Sequence, residues 1–281
     1  NEWENPTNWT AGVPTAIVNA IIPDVLNAPI ISNSTNNTVN DLIIDEPEGL
    51  TINSGGSLIV NGISTGNVTY QRNLPSENWY LVSSPVSGET YDNDFVSANN
   101  LAINGQNNAI ATYTTLNNTW SYMQTGAVTN FITGKGYSVR RATGQGAGTI
   151  SFTGNINTTN ITITPNNSGS GFNLIGNPFT SYVNNETFIN DNSANISGNQ
   201  IWVWNSQTSY YDVKNLIETI VLAPAQGFFV KATTSANLNF AKFRQVKTGD
   251  VFQKSIKNEI KLNITDGTHS RFTKIYYLYN A

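Results

Sequence analysis

Four aromatic residues at two matching places in the chain are the best candidates for chemistry. Trp120 and Tyr122 alternate along one short stretch, and Trp204 and Tyr211 flank a run of turn-forming residues. Indole and phenol rings on a hairpin offer apolar platforms for sugar rings, and their polar tips bind hydroxyls. We take these four as candidate carbohydrate-binding residues. The alternative is that they are core residues or cross-strand pairs, because they recur in both places.

Side chains that support catalysis are scarce. The chain has no Cys, which excludes cysteine nucleophiles, disulfides, cysteine-ligated zinc and iron–sulfur clusters. Its one His, His269, follows an Asp266-Gly267 turn, so no Ser-His-Asp triad can form elsewhere. The densest acidic group, residues 45–48, is interpreted as a solvated loop, although a chance pair of carboxylates stays open. We predict no catalytic residue and no enzymatic activity in this chain, which leaves open a catalytic domain elsewhere in a longer protein.

Two short polar clusters have oxygen atoms of the kind that calcium accepts. They are Asp92-Asn93-Asp94 and Asn190-Asp191-Asn192. Neither cluster is followed by the Gly and distal Glu of an EF-hand loop. We predict no cofactor and no metal, with calcium as the open alternative.

The aromatic candidates lie in a segment that is duplicated. Residues 79–86 match residues 172–179 at an offset of 93, and residues 136–140 match 227–231 at an offset of 91. Tyr113 and Trp120 match Trp204 and Tyr211 at the same offset of 91, and Phe152 matches Phe240. We read two copies of a β unit, over 67–165 and 166–248, with an aromatic hairpin in each. At the glycine before each late strand, Gly136 or Gly227, we expect a bulge or a close backbone approach. The most economical architecture is a β-sandwich for each copy, or one joint sandwich built from both.

A shorter repeat precedes the two copies. Leu-x-Ile or Leu-x-Val patterns begin at Leu42, Leu50 and Leu58, and each is followed by turn-forming residues. Three such units predict a 24-residue coil of a β-solenoid-like segment over residues 1–66, with Val18-x-Ala20 stacked on Leu42-x-Ile44. An ordinary meander is the alternative. Trp3 and Trp9 would cap the open apolar end of the solenoid.

The last segment, residues 249–281, changes character. Residues 256–265 alternate apolar and polar side chains, and a second strand follows the Asp266-Gly267 turn. A lone hairpin is only marginally stable, and the chain stops directly after its second strand. We therefore expect a linker and the first hairpin of an incomplete C-terminal β domain.

Composition supports an all-β, extracellular protein. Only 11% of the residues are charged, against roughly 25% in an average domain, and 43 Asn lead the neutral polar residues. This composition disfavours long helices, while 30 aromatic residues are too many for a disordered chain. A pI near 5.0 without a recognisable motif argues against nucleic acid, and no apolar run is long enough for a transmembrane helix.

Several stretches resemble the C-terminal regions of large surface proteins from Bacteroidota. The stretches are residues 171–179, 225–230, 260–265 and 276–281, with the opening Trp…Asn-Trp…Pro pattern and the Leu-x-Ile repeats. In that group, such regions commonly precede a sorting domain for the type IX secretion system. The resemblance implies export to the cell surface, with the outer-membrane secretion machinery as a partner.

These observations together predict a non-catalytic, β-rich region of a cell-surface protein that is a type IX secretion substrate. Adhesion or gliding motility is the expected biology, with surface polysaccharide or other surface proteins as further partners. The alternative is an accessory or carbohydrate-binding region of a secreted polysaccharide-degrading enzyme.

Overall fold

A computed structural model of the protein describes residues 1–33, 35–45, 49–247, 259–265 and 270–276. Residues 1–250 form one compact unit, and residues 251–281 form a second. Strands dominate the described residues, so the predicted all-β class is confirmed. None of the helices in this part of the chain combines the length and the hydropathy that crossing a membrane requires.

The strands nearest the amino end stack in parallel ladders. They are β1 (Ala20–Ile22), β2 (Ile30–Ile31), β3 (Asn36–Val39), β4 (Leu42–Ile44), β5 (Leu50–Ile52), β6 (Ser57–Val60), β7 (Ser64–Thr65) and β8 (Val68–Leu74). The ladders are β1-β4-β7, β2-β5-β8 and β3-β6, and every pairing in them is parallel. The Leu-x-Ile repeats therefore form β4, β5 and β6, each in a different ladder.

Successive turns of this coil are shorter than the sequence spacing predicted. Ala20 pairs with Leu42 and Asn36 pairs with Ser57, which are 22 and 21 residues apart rather than 24, and Leu50 pairs with Val68, which is only 18 residues away. The predicted stacking of Val18 on Leu42 is wrong, because Val18 lies before β1. Tight glycine turns shorten the coil: a Cβ at Gly66, whose φ is +81°, would lie 2.3 Å from the Ile44 carbonyl oxygen.

Two indoles lie at the start of the coil. Trp3 is fully buried, and its backbone N–H donates to the Ile30 carbonyl at 2.8 Å. The Trp9 indole N–H donates to the Trp3 carbonyl at 2.7 Å, and the two rings meet edge to face with centroids 4.8 Å apart. Both rings therefore pack beside β2, on the first turn of the coil.

The next part of the chain adds a second sheet. Its elements are β9 (Trp79–Val82), β10 (Val86–Ser87), β11 (Thr90–Tyr91), α1 (Asn93–Ala98), β12 (Ile103–Asn104), β13 (Asn107–Thr114), β14 (Thr119–Gln124), β15 (Thr129–Asn130), β16 (Tyr137–Arg140), β17 (Gly148–Ile156) and β18 (Ile161–Ile163). One sheet has the order β12-β13-β16-β9, with β14 paired to β13. The other has the order β10-β17-β8-β5-β2, so it continues across residue 66 into the coil.

The following segment repeats this strand order. Its elements are β19 (Phe172–Gly176), β20 (Tyr182–Asn184), α2 (Asn185–Asn192), β21 (Gln200–Asn205), β22 (Tyr210–Asn215), β23 (Val221–Leu222), β24 (Gly227–Lys231), β25 (Leu238–Phe240) and β26 (Gln245–Val246). The order β19-β24-β21-β22 matches β9-β16-β13-β14. β18 pairs antiparallel with β25, just as β8 pairs antiparallel with β17. The partner of β18 therefore lies beyond residue 166, where the second copy was predicted to begin.

The five-stranded sheet of the first copy and the four-stranded sheet of the second meet through a reciprocal pair of contacts. Val82 forms a bridge with Gln226, and Ile175 forms one with Lys135. At the sequence offsets of 93 and 91, Val82 corresponds to Ile175 and Lys135 corresponds to Gln226. Exchanging the two copies therefore converts one bridge approximately into the other. Corresponding ends of the two sheets lie against each other.

Two glycines allow this close approach. A Cβ at Gly136 would lie 2.7 Å from the Ile175 carbonyl oxygen, and a Cβ at Gly227 would lie 2.9 Å from the backbone of Val82. The sequence predicted a bulge or a close backbone approach at both positions, and the close approach is confirmed. Any larger residue would push the two sheets apart.

Each copy has its own apolar core. Phe95, Phe131 and Phe152 form one tilted and edge-to-face cluster, with centroids 5.1 to 6.0 Å apart. In the second copy, Phe188 stacks on Phe240 with centroids 4.6 Å apart. Two filled cores hold the sheets rigid enough to fix the side chains on their outer faces.

Short helices were not predicted, but both copies contain one. α1 and α2 follow β11 and β20 in corresponding places, and α1 buries Phe95 and Val96. Stretches of six and eight residues carry little intrinsic helix signal, so tertiary packing decides their conformation.

Residues 251–281 contain a two-stranded sheet. Its strands are β27 (Glu259–Thr265) and β28 (Ser270–Tyr276), paired antiparallel from Glu259 with Tyr276 to Thr265 with Ser270. The predicted hairpin is confirmed. Its predicted turn and His269 lie outside the described residues, as do residues 46–48 of the acidic cluster.

Candidate carbohydrate-binding site

The four predicted residues lie around one concave surface. In β13 and β14, Tyr113 pairs with Trp120, and in β21 and β22, Trp204 pairs with Tyr211. Both aromatic hairpins predicted from sequence are therefore confirmed. Because the two sheets meet reciprocally, the hairpins face a shared depression.

The depression consists of two adjoining cavities, which we call the aromatic cleft. The first cavity, of about 220 Å³, is lined by Trp79, Leu81, Trp120, Tyr122, Ser138, Trp204 and Tyr211. The second cavity, of about 420 Å³, is lined by Tyr113, Asn118, Trp120, Phe172, Trp202, Tyr211 and Phe229. Trp120 and Tyr211 line both cavities, and at the offset of 91 they correspond to each other. The cavities are thus counterparts across the meeting point of the two copies.

Three of the predicted residues present their rings to solvent. Trp120 is 36% exposed, and Tyr122 and Tyr211 are each 41% exposed. Exposed aromatic rings grouped in a depression are typical of binding surfaces rather than of cores. These three side chains are therefore available to a ligand.

Trp204 has a different role from its three neighbours. It is half-buried, and its indole N–H donates to the Trp79 carbonyl oxygen at 2.8 Å. Its ring lies 4.9 Å from the ring of Tyr211, edge to face. Trp204 therefore fixes Tyr211 and links β21 to β9, while it also lines the first cavity.

Phe229 forms the floor of the second cavity. It is buried, and its ring contacts Tyr113 at 4.8 Å, Tyr211 at 5.6 Å and Trp120 at 6.2 Å between centroids. All three contacts are edge to face, the geometry that aromatic quadrupoles favour. The ring of Phe229 thus supports both residues shared by the cavities, and Ser138 takes the corresponding place in the first cavity.

The phenol of Tyr211 stays protonated under ordinary conditions. Partial burial of the side chain and the nearby Tyr113 raise its pKa to about 12. Tyr113 is also held in place, because its hydroxyl donates to the Asn118 side-chain oxygen in the β13–β14 turn. Tyr211 therefore offers an O–H donor to a ligand hydroxyl across the whole physiological pH range.

Sequence reasoning missed Trp79, Tyr113 and Phe229 as members of the site. The signal was present, because Trp79 corresponds to Phe172 and Tyr113 corresponds to Trp204 in the duplication. The missing information was the reciprocal contact, since nothing in the sequence says which faces of the two copies meet.

The polar clusters considered for calcium have other partners. Asp92 caps α1, accepting the Phe95 backbone N–H at 2.9 Å. Asp191 accepts two hydrogen bonds from Arg244, at 2.7 and 2.9 Å. Among the described residues, no group of three or more His, Cys, Asp or Glu side chains could hold a metal ion.

Comparisons with known proteins identify a family without an assigned activity. A family model described as a domain of unknown function (DUF8693) matches residues 59–216, more than half of the chain, so the chain belongs to this family. No curated protein and no solved structure matches the chain significantly. The matched range contains Trp79, Trp120, Tyr122, Trp204 and Tyr211, so most of the aromatic cleft lies inside the family domain.

Proposed function

We propose that this chain is a non-catalytic, carbohydrate-binding region of an exported cell-surface protein, and that the aromatic cleft is its binding site. The observation that carries the proposal is the convergence of two aromatic hairpins on Trp120 and Tyr211, which line both cavities. Polysaccharide chains are long, and two adjoining cavities with aromatic walls suit consecutive sugar rings. Attachment to surface polysaccharide would then serve adhesion.

The chemistry of the lining supports binding without turnover. The residues that line the two cavities include no Asp, Glu or His. Glycoside hydrolysis ordinarily uses two carboxylates placed on either side of the scissile bond. The lining instead supplies ring faces, indole and phenol donors, and small polar side chains, which are the groups of a binding surface.

The secretion route is a separate part of the proposal. The resemblance to Bacteroidota surface proteins supports export by the type IX system, with adhesion or gliding motility as the setting. In a Bacteroidota host that expresses the full protein, wild-type cells should carry it on the surface. Loss of the type IX machinery should remove it from the surface, and unchanged surface display would contradict this route.

An accessory region of a secreted polysaccharide-degrading enzyme is the alternative setting for the same cleft. The sequence that flanks this region in the full protein distinguishes the two settings. A hydrolase domain in the same polypeptide would favour the enzyme, and a long repeat-built protein without one would favour the adhesin.

Glycan-array binding, followed by calorimetric titration of the best ligand, tests the binding function. Trp120→Ala should weaken binding by about 30-fold, which corresponds to the roughly 2 kcal/mol typical of a central aromatic anchor. Tyr210→Ala is the matched control, because Tyr210 is 73% exposed on the same hairpin as Tyr211 and lines neither cavity. Equal losses in both variants, or no glycan bound by the wild type, would refute the proposal.

A further inference from the structure

A third cavity opens beside the aromatic cleft and has a different chemical character. We call it the side pocket, of about 370 Å³, and its walls include Trp79, Tyr122, Asn104, Asn107, Asn108 and Arg140. Trp79 and Tyr122 also line the first cavity of the cleft, and their rings lie 5.9 Å apart. A sugar chain in the cleft can therefore continue into the side pocket past these two rings.

Arg140 gives the side pocket its charge. Its Nε–H donates to the Glu77 carbonyl oxygen at 2.9 Å, which fixes the plane of the guanidinium. The Glu77 carboxylate is held elsewhere, by the Gly146 backbone N–H at 2.7 Å. In the described part of the chain, no carboxylate lies within 4 Å of the Arg140 guanidinium, and none of the residues that line the pocket is acidic. Its terminal N–H groups are therefore available to an anion.

Asn108 belongs to the wall of the side pocket, but its side chain lies on the opposite face of the strand from the ring of Tyr122. It pairs with Met123, which is 6% exposed, and its own side chain is 1% exposed. Its amide nitrogen is closed to solvent, so a ligand in the side pocket does not reach this atom. Arg140, the charged residue of the lining, therefore gives the pocket its preference for an anion.

The strand beside the side pocket is irregular. Asn108 pairs with Met123, but Ala111 pairs with Tyr122, so β13 bulges between the two pairs. Bulges are common beside binding sites. In the second copy, β21 pairs with β22 without a break from Gln200 to Asn205. The bulge is thus a feature of the first copy alone.

We propose that the side pocket binds an acidic sugar unit, whose carboxylate or sulfate group accepts hydrogen bonds from the terminal N–H groups of Arg140. The sugar ring lies against Trp79 and Tyr122, and the neighbouring neutral units occupy the aromatic cleft. A guanidinium with free terminal N–H groups matches the paired oxygens of either anion. This inference rests on the proposed glycan-binding function and names its ligand class, an acidic polysaccharide.

The test compares acidic and neutral polysaccharides on the same protein. Probes are polygalacturonate, its methyl-esterified form, alginate, a sulfated carrageenan and a neutral xylan, each titrated calorimetrically at fixed salt. We expect at least one acidic polymer to bind tenfold or more tightly than the neutral xylan. If that polymer is polygalacturonate, esterification should remove the advantage. Carboxylate and sulfate ligands are distinguished by which acidic polymer binds.

Variants assign the effect to the pocket. Arg140→Gln should weaken binding of the acidic polymer at least tenfold, and Arg140→Lys should weaken it less. Lys231→Gln is the matched control, because Lys231 corresponds to Arg140 in the second copy, where its ammonium lies 5.6 Å from the centroid of the Phe172 ring. The affinity of this variant for the acidic polymer should stay within twofold of the wild-type value. Thr143→Glu places a carboxylate at an exposed position of the pocket wall, so it should also weaken binding of the acidic polymer, and it tests the pocket if Arg140→Gln fails to fold.

Two outcomes separate this inference from the proposed function. If neutral and acidic polymers bind equally and Arg140→Gln has no effect, while Trp120→Ala abolishes binding, the acidic ligand class is wrong and the cleft is still a glycan site. If none of the probes and no glycan on an array binds, both proposals fail.

Discussion

Replacement of Gly227 by Ala tests whether the close approach of the two sheets builds the aromatic cleft. The new Cβ would lie 2.9 Å from three backbone atoms, the Leu81 carbonyl carbon and the nitrogen and oxygen of Val82. Backbone atoms inside a paired strand cannot move aside cheaply, and such overpacking costs about 1 to 3 kcal/mol. The lower conformational freedom of Ala in the unfolded chain offsets about 0.4 to 1 kcal/mol.

Taken at mid-range, the two terms leave a net loss of about 1 to 2 kcal/mol in the free energy of unfolding. For a unit of this size, each kcal/mol lowers the melting temperature by about 2 to 4 °C, so Gly227→Ala should melt about 2 to 8 °C lower. The displaced strand β24 also carries Phe229, the floor of the second cavity. Binding of the best glycan should therefore weaken several-fold.

Differential scanning calorimetry and glycan titration measure the two effects in one variant. Gly88→Ala is the control, because a Cβ there meets nothing within 4 Å although φ is +95°. This control should lose some stability through backbone strain and keep its glycan affinity. A Gly227→Ala protein that melts within 1 °C of wild type and binds normally would refute the reasoning.

Three further predictions concern stability. Burial raises the pKa of Tyr70 to about 12, so the folded chain keeps a proton that the unfolded chain releases near pH 10. Between pH 10 and 12, this difference should lower the free energy of unfolding by about 3 kcal/mol. In urea melts, Tyr70→Phe should therefore lose less stability than the wild type over this pH range. Asp92→Ala removes the cap of α1 and should lower the free energy of unfolding by about 1 kcal/mol. Chelation of divalent ions should leave the melting temperature of the wild type unchanged, whereas a shift on chelation would restore the calcium alternative. Trp3→Ala should cost about 3 to 5 kcal/mol because a fully buried indole leaves a cavity on the first turn of the coil, and a loss below 1 kcal/mol in thermal melts would show that the ring supports little.

Local features of this fold were readable from the sequence. In each copy, two aromatic residues seven positions apart flank a polar turn, and this pattern predicted both aromatic hairpins. The structure pairs Tyr113 with Trp120 and Trp204 with Tyr211, as the pattern predicts. The glycine before each late strand gave the close backbone approach. These features depend on residues near each other in the chain, where turn chemistry and alternation decide the structure.

Features that depend on distant contacts were not readable. The sequence spacing predicted coils of 24 residues, whereas paired residues of successive coils are 22, 21 or 18 apart. The turns between strands differ in length, and only strand pairing fixes the register. α1 was missed because its helix is held by burial of Phe95 and Val96 rather than by propensity. The cleft itself needs the reciprocal meeting of Val82 with Gln226 and Ile175 with Lys135, which leaves no local sequence signal.

A crystal structure of the protein with the oligosaccharide that it binds most tightly tests the central claim most directly. The account predicts sugar rings in the aromatic cleft, packed on Trp120 and Tyr211, with the Tyr211 hydroxyl donating to a sugar oxygen. Sugar density at another surface, with the aromatic cleft empty in the same crystal and open to solvent, would contradict it.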